Sequence, residues 1–175
     1  MCGRYLFSDG KNPTLSKVKQ YYQEKLPLDI FNQISFEEVF PSQKTVVFLM
    51  NKENKLHPAI MKWGLTLNNK QVINLKDENK IATKYKPCII IASGYYEWQS
   101  STKEKHFFTT NSNVVYLAGC YNDANEFAII TEEANNTLSK IHPRVPLTLS
   151  KDDFIDYFKQ DIIYSNQYKI IDKTY

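Results

Sequence analysis

A chain of 175 residues is long enough to bury a sizeable core as one domain, without disulfide or metal staples. Its composition, 42% hydrophobic and 23% charged with 12 tyrosines and 10 phenylalanines, is globular, and no repeat or low-complexity segment appears. A net charge of +3, from 22 Lys+Arg against 19 Asp+Glu, permits an anionic partner but is low for a dedicated DNA-binding module, so a nucleic-acid site is expected to be a local groove.

The chain opens MCGRY. This start leads into polar sequence rather than an apolar core, so no secretory signal is expected, and no apolar run nears the ~20 residues that span a bilayer. Leu15, Val18, Tyr22 and Leu26 fall at helical spacing and predict a helix over 15–25, ended by Pro27. TVVFLM (45–50) reads as a strand, residues 51–54 as a turn, and LHPAIMKWGLTL (56–67) as the returning strand. Further strands are predicted over 71–75, 88–99, 106–110, 114–121 and 127–131, several with continuous apolar runs that suit coverage on both faces. Helices are predicted over 135–142 and 151–160, the second with Ser150 and Asp153 as a capping-box-like start. Many short strands with helices at the ends predict an α+β fold: a curled, barrel-like, mainly antiparallel sheet with a few peripheral helices, forming a single domain over 1–175. No Gly-rich βα turn is present, which excludes a Rossmann or P-loop nucleotide site.

Three cysteines, Cys2, Cys88 and Cys120, show no CxxC and no metal-ligand spacing. Cys88 and Cys120 lie in apolar runs and read as inert core residues of a reducing compartment, so a cytosolic location is expected. Three scattered histidines, His57, His106 and His142, offer no ligand spacing either, and neither a metal nor an organic cofactor is expected.

Four stretches carry candidate chemistry. Cys2 is followed by Gly3 and Arg4, and loss of Met1 would leave a thiol and an amine on adjacent carbons. Both groups are partly nucleophilic near neutrality, and such a 1,2-aminothiol closes an aldehyde into a five-membered thiazolidine. The alternative for Cys2 is a small buried hydrophobe. In SGYYEWQ (93–99), Glu97 sits among Tyr95, Tyr96 and Trp98, where aromatic walls raise a carboxyl pKa toward proton-shuttling range. An exposed Glu alternating with buried aromatics fits the same pattern. In IHPRVP (141–146), His142 falls at an element boundary and Arg144 suits a phosphate, though a lone His is commonly a structural hydrogen-bonder. Lastly, Trp63 in KWGLT is either a base-stacking platform or core, and Asn74 and Lys76 alternate onto one strand face with Glu78 beyond.

Taken in order, MCGRY, WGL, the IN…E segment, GYYEW and ITEEAN…IHPRVP resemble the SOS-response-associated peptidase (SRAP) family, over roughly residues 1–150. The resemblance implies covalent crosslinking to abasic sites in single-stranded DNA, including single-strand/double-strand junctions, by a monomer that is cytosolic and nucleoid-associated when bound. It implies that Cys2, after removal of Met1, forms a thiazolidine with the ring-opened deoxyribose, that Asn74 holds the linked sugar, that Glu97 is the acid/base beside the amine, and that His142 moves the sugar's protons. It also implies DNA contacts for Gly3, Arg4, Trp63, Lys76 and Arg144. Two other functions compete with this one: a thiol peptidase or autopeptidase using Cys2 with His142 as base, and a non-catalytic single-strand binder.

The sequence departs from the family's pattern at four places. EVFP (38–41) puts Glu38 where asparagine is expected, a negative charge near the expected groove. NLK (74–76) has Lys76 in place of a forked arginine, the weaker bidentate phosphate ligand. The connection from Glu78 to Cys88 is short, and residues 165–175 lack the family's closing segment. Altered DNA affinity or groove shape is the expected result.

Overall fold

The computed structural model describes residues 2–76, 84–160 and 166–174. Met1, Glu78 and most of the short connection after Glu78 therefore lie outside the described residues. The elements run β1 (Arg4–Leu6), α1 (Pro13–Lys25), α2 (Leu28–Phe31), β2 (Glu38–Val39), β3 (Lys44–Met50), β4 (Leu56–Trp63), β5 (Leu65–Leu67), β6 (Lys70–Val72), β7 (Asn74–Lys76) and β8 (Lys86–Ala92). They continue with β9 (Gly94–Trp98), β10 (Lys105–Thr109), β11 (Val115–Tyr121), β12 (Glu126–Glu133), β13 (Arg144–Pro146), α3 (Phe154–Lys159) and β14 (Ile171–Asp172).

The strands make a closed ring and a second sheet beside it. β11, β8, β3, β4 and β12 pair in that order, and β12 returns to pair with β11, which removes the exposed edges. The pairing is antiparallel except where β12 runs parallel to β4 and β7. The curled, mainly antiparallel α+β architecture is thus the observed one. A five-stranded sheet, ordered β14-β10-β9-β1-β2, lies alongside, and a small β5–β6 hairpin completes the strands. Tyr5 of β1 and Trp63 of β4, both fully buried with ring centroids 5.2 Å apart, pack the two sheets onto one core. Cys88 and Cys120 are buried there and make no disulfide; burial pushes both thiols up, Cys120 to about 12.

Two predicted long strands each break in two. The 56–67 strand stops at Gly64, whose φ is +124° and where a Cβ would run into the side chain of Gln71. The corner so formed is held by Glu126, which accepts from Thr66 N, Thr66 Oγ1 and Asn122 Nδ2 at 2.8, 2.8 and 3.0 Å and pairs with Lys62 Nζ at 2.8 Å. Those donors, Lys62 first, hold its carboxyl down at about 2. The 88–99 strand instead changes sheets at Ser93, so that β8 belongs to the ring and β9 to the neighbouring sheet. Ser93 N donates to Leu6 O at 2.8 Å, and Thr109 Oγ1 donates to Ser93 O at 2.6 Å.

The helices are shorter or longer than their patterns. Asn12 caps α1, accepting from Thr14 N at 2.9 Å and Leu15 N at 3.2 Å, so the helix starts two residues before the predicted one. Residues 135–142 form only a single 3₁₀ turn, Leu138–Lys140, begun by the Asn135 side chain. Ser150 and Asp153 do close on each other, at 2.6 and 2.7 Å, ahead of α3. Among the described residues no helix is long and apolar enough to cross a membrane.

Candidate functional site

The sheet change at Ser93 sets Glu97 against the start of the chain. Arg4 pairs with Tyr96 and Leu6 with Gly94, and the antiparallel register carries Gly3 and Cys2 on toward Glu97 and Trp98. Alternation then sorts the side chains. Tyr5, Tyr95, Glu97, His106 and Phe108 face inward and are buried, whereas Arg4, Tyr96, Trp98, Lys105 and Phe107 line the outer face.

Cys2 is fully buried, its Sγ donating to Arg4 O at 3.6 Å. Asn74, brought in by the parallel pairing of β7 with β12, donates from Nδ2 to Cys2 O at 2.8 Å. Its Oδ1 is buried and has no hydrogen-bond partner among the described residues. Glu97 is 1% exposed, and that desolvation raises its pKa to about 7, against an opposing pull from the positive charge of the amino terminus. Burial first, and then the charge of Glu97, drive the Cys2 thiol far above its ordinary range. Across the sheet from Glu97 stands His106, whose Nδ1 lies 2.7 Å from Asp172 Oδ2 on β14.

His142 and Arg144 approach from the other side of β12. The His142 ring is oriented by its neighbour Arg144, with Nδ1 2.7 Å from Arg144 O and 3.1 Å from Arg144 N. Burial lowers the His142 pKa, the bond to Arg144 O acts against that, and the positive amino terminus lowers it further. Neutral imidazole is therefore the dominant form at neutral pH. Arg144 Nη2 donates to Thr131 O at 2.6 Å, and Thr131 is the register partner of Lys76, so both cations flank one residue of β12. Lys76 is exposed and Arg144 half-buried.

The sequence-predicted residues thus divide. Cys2, Asn74 and Glu97 come together at the seam between the sheets, with Gly3 half-buried beside them. His142, Lys76 and Arg144 stand at the adjoining edge. Arg4 lies on the outer face, where Glu38 Oε1 is 3.3 Å from its Nη1 and its guanidinium covers the rings of Phe40 and Trp98 at 4.4 and 5.1 Å. Trp63 corrects its predicted role. It is fully buried, its Nε1 donates to Ile73 O at 3.0 Å, and its ring stacks on Phe127, so no face of the indole is open to a base. Lys105, one residue ahead of the predicted 106–110 strand, is the first residue of β10 and joins Arg4 on the outer face. Among the described residues no cluster of His, Cys, Asp and Glu can hold a metal ion.

The model of the family described as SOS response associated peptidase (SRAP) matches residues 1–173. The chain belongs to the SRAP family. A relative from Escherichia coli (strain K12), the abasic site processing protein YedK, is 25% identical over 182 residues, covering 93% of this chain and 81% of YedK. Crystal structures of a protein from Bordetella bronchiseptica and one from Bacteroides thetaiotaomicron share the fold, at TM-scores of 0.68 and 0.67 and 14% and 15% identity. Both comparisons cover 98% of this chain, with 98% of the first protein and 90% of the second. A phage-related protein from Bordetella bronchiseptica aligns similarly, with a TM-score of 0.64 at 15% identity over 98% of this chain and 92% of its own. The SRAP match takes in the Cys2, Asn74, Glu97 and His142 positions together with the C-terminal strand β14.

Proposed function

We propose that this SRAP protein senses abasic sites in single-stranded DNA and caps them covalently, through a thiazolidine built on Cys2 once Met1 is removed. The observation that carries the reading is the seam itself. Cys2 is tethered by its carbonyl to Asn74, and a buried carboxyl with a pKa near neutrality acts on its thiol. The name of the YedK relative, an abasic site processing protein, supports the same substrate class.

The chemistry balances without any cofactor. The Cys2 amine attacks the aldehyde carbon of the ring-opened sugar, and the carbinolamine loses water when an acid protonates its hydroxyl, leaving an imine. The Cys2 S–H then adds across C=N: sulfur bonds to carbon, its proton passes to a base, and the nitrogen regains a proton. A carboxyl near 7 is about half-ionised at neutrality, so Glu97 serves as the acid in the first step and the base in the second. His142, whose lowered pKa keeps it neutral at pH 7, opens the closed sugar by taking the hemiacetal proton. Asn74 Oδ1 offers an acceptor to a sugar hydroxyl. An abasic sugar must be extrahelical to bring its aldehyde to the Cys2 amine and thiol, which favours single strands and junctions over duplex. Action in the cytosol, at the nucleoid, follows from that substrate.

A thiol-peptidase role fits less well. A peptidase nucleophile needs a depressed thiol pKa, and burial drives that of Cys2 the other way. The test is incubation with an abasic single-stranded oligonucleotide, followed by denaturing gel and intact mass. A heat-resistant adduct on a chain lacking Met1 is expected from the wild type. An equal adduct from Cys2→Ala, or none from the wild type, would overturn the reading.

A further inference from the structure

Arg4 and Lys105 meet on the outer face of the five-stranded sheet, two residues along β1 from Cys2. Lys105 is opposite Trp98 in the β9–β10 register, and Arg4 is opposite Tyr96, which brings both cations over one patch. Each is braced by an aromatic ring: Arg4 by Phe40 and Trp98, and Lys105 by Tyr96, with Nζ 3.9 Å from the ring centroid. Between them stands Glu38, and a single oxygen, Oε1, is 3.3 Å from Arg4 Nη1 and 3.3 Å from Lys105 Nζ. Charge-assisted contacts of this kind normally close to about 2.7–2.9 Å. One oxygen shared at 3.3 Å by two cations gives each a long contact, whereas an untethered anion free to turn both its charged oxygens to the patch would give each cation its own. The three charged side chains are 29%, 35% and 42% exposed, so the pairing is a surface one and readily exchanged.

We propose that Arg4 and Lys105 form a seat for one phosphodiester of a bound strand, and that the Glu38 carboxylate occupies it as an internal stand-in which the phosphate must displace. The inference rests on the single-stranded DNA reading above and adds to it a phosphate ligand, Lys105, and a residue that opposes binding. Phe40, 36% exposed, presents its ring beside the seat as a stacking surface for a neighbouring base. The occupant is a phosphodiester because that is the anion the proposed strand carries past Cys2, two residues along the chain from Arg4. In the unbound protein Glu38 neutralises the patch and holds Arg4 in position. In the complex it is pushed aside, which lowers affinity for every strand, damaged or not.

The experiment measures anisotropy of a fluorescent, undamaged single-stranded oligonucleotide over a range of salt, for the wild type, Glu38→Gln, Lys105→Gln and Glu53→Gln. Glu53 pairs with Lys55 in a remote turn, so Glu53→Gln removes the same charge elsewhere. Glu38→Gln is expected to tighten binding about two- to fivefold at low salt and to steepen the salt slope by about 0.7. Lys105→Gln is expected to weaken binding and flatten the slope, and Glu53→Gln to change neither appreciably. Unchanged or weaker binding by Glu38→Gln, or an equal gain from Glu53→Gln, overturns the proposal. Because the probe is undamaged, the outcome is independent of the crosslink: a wild type that makes no adduct would refute the lesion reading while leaving the seat intact.

Discussion

Glu97 and Glu126 are both almost wholly buried, at 1% and 8% exposure, yet their environments move them in opposite directions. Glu126 sits at the Gly64 corner among Lys62, Thr66 and Asn122, and this cluster of donors fixes it as a permanent anion near 2. Glu97 lies at the seam beside Cys2, where desolvation prevails and leaves it near 7. Burial alone therefore says little about what a carboxyl is for. Where donors outweigh desolvation the carboxyl is a structural joint, and where desolvation outweighs its favourable contacts the carboxyl trades protons at working pH.

The sharpest way to break this contrast is to remove the titrating oxygen from each. Glu97→Gln is expected to slow adduct formation at pH 7 by about 10²-fold or more, the usual loss for a positioned acid/base. The wild-type rate should vary through a pKa near 7, and the variant's should lose that inflection, which single-turnover gels across pH 5.5–8.5 would reveal. Glu126→Gln should leave that profile unchanged.

The stability of the two variants should differ in sign. A raised carboxyl pKa means that the folded state holds its proton longer, so Glu97 costs nothing below about pH 4 and penalises folding increasingly as pH rises toward 7. Glu97→Gln is therefore expected to stabilise by on the order of 1–3 kcal/mol at pH 8, and by almost nothing at pH 4. For Glu126 the depressed pKa reverses the sense: its contribution is full above about pH 4.5 and fades as pH falls toward 2. Glu126→Gln should cost about 1–3 kcal/mol at pH 7, a loss that shrinks in acid. Urea midpoints at several pH values check both.

The smallest effect sharpens the boundary between site and core. Trp63→Phe should cost about 1–3 kcal/mol of stability through the lost volume. It should leave affinity for an undamaged single strand within about twofold, since the indole is sealed between Tyr5 and Phe127.

What the sequence made legible follows the same division. The burial of Glu97 was legible only in part: alternation sets it on the inner face with Tyr95, whereas the adjoining Tyr96 and Trp98, expected to wall it, lie on the outer face. The capping partners Ser150 and Asp153 were legible because they stand three residues apart in the chain. The break at Gly64 was not, since it depends on Gln71 filling the space of a missing Cβ. Nor was the sheet change at Ser93, which is decided by the carbonyls of Leu6 and Phe7 and a hydroxyl of β10. Trp63 could not be assigned from a strand pattern, because period-two alternation marks a face without saying whether a second sheet covers it. The link between Arg4, Glu38 and Lys105 spans three strands and appears only once β1 is paired on both edges.

Asn74 grips Cys2 by its main-chain oxygen, not by its sulfur. The mooring is accordingly indifferent to which side chain stands at position 2: alanine or serine there would dock in the same berth. Chemistry and placement at this terminus are separable by design of the backbone, and a variant silenced at the sulfur reports on reactivity alone.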